Sequence, residues 1–163
     1  MISLSISTER EFEKIYEKYV DCVYRVCFMF LKNTLDAQDA VQNVFIKLIN
    51  QNKTFENENH LKAWLITVAK NECKNTLRHW FFTKRANNEE LQKVTYSDKT
   101  DSLINEILRL PDKYKLPLYL YYYEGYSTEE TAKILEINHS TLRTNLKKAR
   151  EKLKKMMEVK DGE

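Results

Sequence analysis

The chain has 163 residues, room for one ordinary domain or two small helical ones. With only 2 Gly and 2 Pro it lacks the turn residues that sheets require, and 42% hydrophobic with 31% charged residues excludes wholesale disorder, so an all-α fold is expected. A net charge of +3 does not by itself imply a nucleic-acid partner, and neither a membrane-length apolar run nor a basic-then-apolar leader is present, which points to a soluble cytoplasmic protein.

In chain order, Phe12, Ile15, Tyr16, Tyr19, Val23, Val26, Cys27 and Phe30 recur at three- and four-residue spacing and predict a helix over about 9–32. Asp36 is placed to cap a second helix with apolar residues Ala37, Val41, Val44, Phe45 and Leu48. The polar run from Asn50 to Asn59, broken only by Phe55, reads as a loop. A third helix turns Leu61, Trp64, Leu65, Val68 and Leu77 inward and leaves Lys62, Lys70, Lys74, Asn75 and Arg78 outside. Helical periodicity then lapses, so the expected organisation is a domain over 8–82, a linker over 83–100 and a second domain over 101–158.

In the second domain a helical pattern begins at Leu103, stops at Leu110-Pro111 and resumes through the Tyr-rich stretch Leu116 to Tyr123, where Pro117 is expected to bend the first turn. Gly125 suits a helix C-terminal cap, and Ser127 with Glu130 has the spacing of a capping box. The next helix is short, breaks at Glu136-Ile137-Asn138 and restarts into Leu142, Leu146, Ala149, Leu153 and Met156. A short helix, a tight turn and a longer helix make a helix-turn-helix.

Charge is concentrated on that last helix. Between Arg143 and Lys155 lie seven basic residues against the single acid Glu151. Its exposed set, Ser140, Thr141, Arg143, Thr144, Lys147 and Lys148, mixes groups able to bond base edges and phosphates. Cys22, Cys27 and Cys73 fit neither a disulfide framework nor a zinc spacing and read as buried thiols. His60, His79 and His139 stand far apart and suggest no metal site. A Gly-rich phosphate loop, a metal cluster and a nucleophile paired with a base are all missing, so neither an enzyme nor a cofactor is expected.

The segment from Glu124 to Arg150, EGYSTEETAKILEINHSTLRTNLKKAR, resembles the C-terminal promoter-binding domain of extracytoplasmic-function sigma factors, and Leu110 to Tyr114 is similar to the start of that domain. One departure is Glu136, at a turn position that often holds Gly. Two further segments resemble the same family independently. Asp36 to Phe45 (DAQDAVQNVF) is similar to the helix that docks on the clamp of the polymerase's largest subunit, and Trp64 to Asn71 (WLITVAKN) to the segment that binds the minus-ten element. Phe55 to His60 falls where the family has a loop that receives a flipped promoter base.

The resemblance spans about Phe12 to Leu153 and implies a subunit that joins core RNA polymerase, recognises promoter DNA through two domains, opens the start region and leaves after initiation. Residue by residue it implies minus-thirty-five contacts from Ser140, Thr141, Arg143, Thr144, Lys147, Lys148 and Arg150. Minus-ten contacts would come from His60, Lys62, Asn71, Lys74, Asn75 and Arg78, and polymerase contacts from Asp36, Asp39, Gln42 and Phe45. Family habit adds a membrane-linked anti-sigma factor as a partner. The competing readings are a polymerase-independent helix-turn-helix regulator, separated by a transcription assay with core polymerase, and a helical adaptor that would bind no promoter.

Overall fold

The computed structural model describes residues 8–83 and 102–161, and every regular element among them is helical. The chain divides into two compact units between Val94 and Thr95. Beyond Thr83, the linker expected over 83–100 lies outside the described residues.

The first unit is a three-helix bundle of α1 (Glu9–Leu31), α2 (Thr34–Asn50) and α3 (Glu58–Thr83), each packed against the other two. A capping box starts α1: Thr8 Oγ1 accepts from the Glu11 N–H and Glu11 Oε2 accepts from the Thr8 N–H, both at 3.2 Å. Lys32 ends the helix in the left-handed conformation, φ 56°, with its N–H donating to the Phe28 carbonyl. The cap of α2 is Asn33, not Asp36. Asn33 Oδ1 reaches the Asp36 N–H at 3.1 Å, which puts Asp36 in the first turn, where its charge suits the helix dipole.

The core takes Val23, Val26 and Cys27 from α1, Ala37, Val41, Val44, Phe45 and Leu48 from α2, and Leu61, Leu65, Ile66, Ala69 and Cys73 from α3. On α3 the inward stripe differs from expectation. Trp64, Val68 and Leu77 are half-buried, while Lys70, expected outside, is 2% exposed because it sits in helical register with Ile66 and Cys73. All three cysteines are buried and reduced. The Cys73 thiol donates to the Cys27 backbone carbonyl at 3.9 Å; a separate hydrogen bond between the two thiol side chains, and then burial, push the Cys27 thiol far above its ordinary pKa.

The second unit comprises α4 (Ser102–Leu108), α5 (Asp112–Leu118), a π-helical turn (Tyr119–Tyr123), α6 (Thr128–Leu135) and α7 (His139–Asp161), the last running past the expected limit of 158. Leu110 N–H bonds the Ile107 carbonyl, tightening the end of α4 before Pro111. Pro117 does not break α5, but the ladder widens two residues later. Proline offers no N–H to the Lys113 carbonyl, and beyond it Glu124 N–H donates to Tyr119 O, the five-residue spacing of a π turn. Gly125 closes the segment at φ 79°, with Tyr126 N–H returning to Leu120 O at 3.1 Å.

The Tyr-rich stretch is only partly packing: Tyr119 is buried, whereas Tyr122 and Tyr123 are exposed. Ala132 and Ile134 of α6 pack with Leu142, Leu146 and Ala149 of α7. Ile137, Leu153 and Met156 are half-buried.

Candidate nucleic-acid interface

The corner between α6 and α7 is tied at four points. Ser127 Oγ accepts from the Glu130 N–H at 3.0 Å, and Glu130 Oε1 accepts from the Ser127 N–H at 3.2 Å. Glu136 takes the left-handed conformation, φ 57° and ψ 42°, and Ile137 N–H closes onto Ala132 O. Across the corner, His139 Nε2 lies 2.8 Å from Thr128 Oγ1, joining the first residues of both helices. This frame fixes the direction in which the start of α7 projects.

From that helix Ser140, Thr141, Arg143, Thr144, Lys147 and Lys148 are all exposed, as expected. Thr144 spends its proton on the Ser140 carbonyl at 3.1 Å and keeps acceptor capacity. Arg150 behaves differently. It is exposed, but its Nη1 donates to the Tyr122 hydroxyl at 3.0 Å on the rim of an apolar cleft of about 420 Å³ lined by Leu103, Ile107, Leu118, Leu153 and Met157. A phosphate contact from Arg150 would have to compete with that bond.

On α3, Asn71, Lys74, Asn75 and Arg78 are exposed and fall on one stripe at three- and four-residue spacing. The only acid among them in sequence, Glu72, is turned onto α2, where Lys47 Nζ meets Oε2 at 2.8 Å and Asn43 Nδ2 meets Oε1 at 3.0 Å. The exposed stripe is therefore cationic and amide-bearing. Lys62 does not join it: half a turn out of phase with Asn71, it lies near Tyr19 of α1 and acts on that phenol, whose pKa burial chiefly raises. His60 is on the stripe's side, but its Nδ1 accepts from the Glu56 N–H at 3.2 Å, so it braces the loop. Phe55 is buried beneath that loop, edge-on to His60 and Trp64 with centroids 5.4 and 5.6 Å away, and Asn57 Oδ1 caps the His60 N–H at 2.8 Å.

The α2 set is split. Asp39 and Gln42 are exposed and Asp36 is half-buried, but Phe45 is a core residue whose ring meets Phe12 at 6.1 Å and Tyr16 at 4.8 Å. It cannot touch a partner directly; it holds α1 against α2. The sequence reading missed three apolar residues on the outer face, Leu35 at 72%, Ile46 at 51% and Ile49 at 58% exposure. With Asp39 and Gln42 between them they alternate four- and three-residue steps, the seam of a two-helix contact. The signal was visible as apolar residues lying off the core stripe.

Among the described residues no three His, Cys, Asp or Glu side chains cluster to share a metal ion, and no helix is long and apolar enough to cross a membrane. The family model for Sigma-70 region 2 matches residues 15–80, and that for Sigma-70 region 4 matches 100–153. The chain is 30% identical over 157 residues to the RNA polymerase sigma factor YlaC of Bacillus subtilis, spanning 89% of this chain and 91% of that protein. It is 26% identical over 165 residues to the ECF RNA polymerase sigma factor SigW of the same organism, across 90% and 88%. Its fold is similar to that of the sigma factor RpoE of Bartonella quintana, solved in complex with the anti-sigma factor NepR, with a TM-score of 0.69 at 18% identity over 92% of this chain and 98% of that one. The two region matches follow one another along this chain, and the chain belongs to the RNA polymerase sigma factors, within the extracytoplasmic-function group.

Proposed function

We propose that this chain binds core RNA polymerase through the outer face of α2 and gives the enzyme promoter selectivity through α3 and α7, acting in the cytoplasm as a non-enzymatic initiation subunit. The observation that carries this reading is the ordered match of both units to the two sigma regions. The exposed α7 residues are suited to a minus-thirty-five element, with Arg143 and Thr144 reading bases and Lys147 and Lys148 holding phosphates. The Asn71, Lys74, Asn75 and Arg78 stripe, with the loop anchored by Phe55, is suited to the minus-ten element and to the opening of the start region. Boundaries at 8–82 and 101–158 serve as the two working units, and an anti-sigma factor is a fitting partner by likeness to the relative solved with one.

Purified chain mixed with bacterial core RNA polymerase and a library of upstream DNA sequences tests this directly. Initiation that depends on the chain and selects a common two-part promoter is expected. A folded chain that neither binds the polymerase nor initiates would instead favour a polymerase-independent regulator.

A further inference from the structure

The cleft beside Arg150 is bounded by α7, which presents Arg150, Leu153, Lys154 and Met157 to it at three- and four-residue spacing, and by Leu103 and Ile107 of α4 and Leu118 of α5. Ile107 and Leu118 are buried, whereas Leu103 and Met157 are 38% and 46% exposed. The π turn Tyr119–Tyr123 brings Tyr122 to the rim, where its hydroxyl accepts from Arg150 Nη1. Apolar side chains around an open hollow keep a hydration cost that packing would remove, and about 420 Å³ lies within the size range of small-molecule sites.

Charge and volume together narrow what fills it. Arg150 and Lys154, both exposed, lie one helical turn apart, and Glu158, the one acid among the described lining residues, lies a further turn along α7. The cleft is therefore cationic towards Arg150 and acidic at its far end. The Tyr122 oxygen takes the Arg150 hydrogen, so the phenol keeps its own proton to donate. A carboxylate at the Arg150 end meets two cations and a hydroxyl donor, while a neutral or cationic head gains no ion pair there. At roughly 30 Å³ for a water-sized group, the volume takes about a dozen methylenes, which is one unbranched chain and not the two tails of a membrane lipid. We infer that this cleft binds a free medium-chain fatty acid, its carboxylate between Arg150, Lys154 and the Tyr122 hydroxyl and its alkyl chain along Leu153 and Met157. Glu158 repels the carboxylate from the far end and so sets the direction of the chain.

Titration of decanoate into the full chain, with its methionines isotope-labelled at the methyl group and followed by magnetic resonance, tests the site. Decanoate should move the Met157 signal and leave that of Met29, buried in the core of the first unit, in place. Hexanoate buries fewer methylenes and should bind at least about tenfold more weakly. Decyltrimethylammonium, with the same tail and the opposite charge, should also lose at least about tenfold. An Arg150→Gln/Lys154→Gln variant should lose about tenfold for decanoate, keep wild-type affinity for decanol and melt as wild type does.

A Met157 signal that decanoate does not move overturns the site. Equal affinity for decanoate and decyltrimethylammonium overturns it too, and that comparison uses the wild-type chain, so it decides even where the glutamine variant fails to fold. A Met157 signal that answers to protein concentration and not to decanoate assigns the cleft to a second copy of this chain. One that answers to core polymerase and not to decanoate assigns it to a protein contact, and either result overturns the fatty-acid site.

Discussion

Glu136 occupies a backbone region, φ 57° and ψ 42°, where a β-carbon crowds the following carbonyl. The turn keeps the left-handed shape that a glycine would adopt freely, so the departure from Gly is absorbed as strain without a change of geometry. Glu136→Gly should therefore stabilise the second unit by about 0.5–1 kcal/mol, the relief of the left-handed penalty less the extra freedom Gly has when unfolded. Gly125 provides the opposite case within the same unit. A β-carbon there would meet nothing within 4 Å, yet the φ of 79° alone should make Gly125→Ala cost about 1 kcal/mol. Urea unfolding of the two variants checks both signs. If Glu136→Gly were neutral or destabilising, the corner would be held by the Glu136 side chain and not by backbone geometry.

Among the elements, α2 carries two unlike faces, and they predict unlike phenotypes. Ile46 and Ile49 face outward with more than half of each side chain exposed and lie outside the core, so Ile46→Asp with Ile49→Asp should cost far less in thermal stability than a core substitution while weakening binding to core polymerase roughly tenfold or more. Phe45→Ala should instead destabilise the first unit by about 3–5 kcal/mol, because it empties a cavity between α1 and α2. Polymerase binding by native gel, paired with melting by circular dichroism, separates the two. Unaltered binding in the Ile double variant would remove α2's outer face from the docking surface.

The helix-turn-helix was legible in the sequence because its boundaries are local chemistry: Ser127 with Glu130, Gly125 and the break at Glu136 each act through bonds to near neighbours. The facing of α3 was not, because Trp64, Leu65, Ile66, Val68 and Ala69 are nearly all apolar and fit either of two adjoining stripes. Only packing against α1 and α2 selects Ile66, Ala69 and Cys73, drawing Lys70 inward with them. Likewise Asp36 and Asn33 are both good caps by type, and the turn at Lys32 decides in favour of Asn33.

For the molecule as a whole, a net charge of +3 understates its electrostatics, since the basic groups gather on α7 and on the outer face of α3 while many acids stand elsewhere in ion pairs or helix first turns. Promoter binding by the holoenzyme should therefore weaken steeply with salt, through release of counterions from the phosphates that these side chains neutralise. Each cation that truly contacts a phosphate contributes close to one unit of slope in a plot of log affinity against log salt. Lys147→Ala and Lys148→Ala should each lower that slope by about one, uniformly across promoters. Arg150→Ala should lower it by less, because the Tyr122 hydroxyl holds the guanidinium back at the cleft. Arg143→Ala should leave the slope closer to wild type and change the ranking of promoters, as expected of a side chain that reads a base edge. Filter binding over a salt series on two unlike promoters distinguishes these cases. Four variants that lose affinity equally on every sequence would show that α7 only grips the backbone, and the reading of the minus-thirty-five element would have to come from another element.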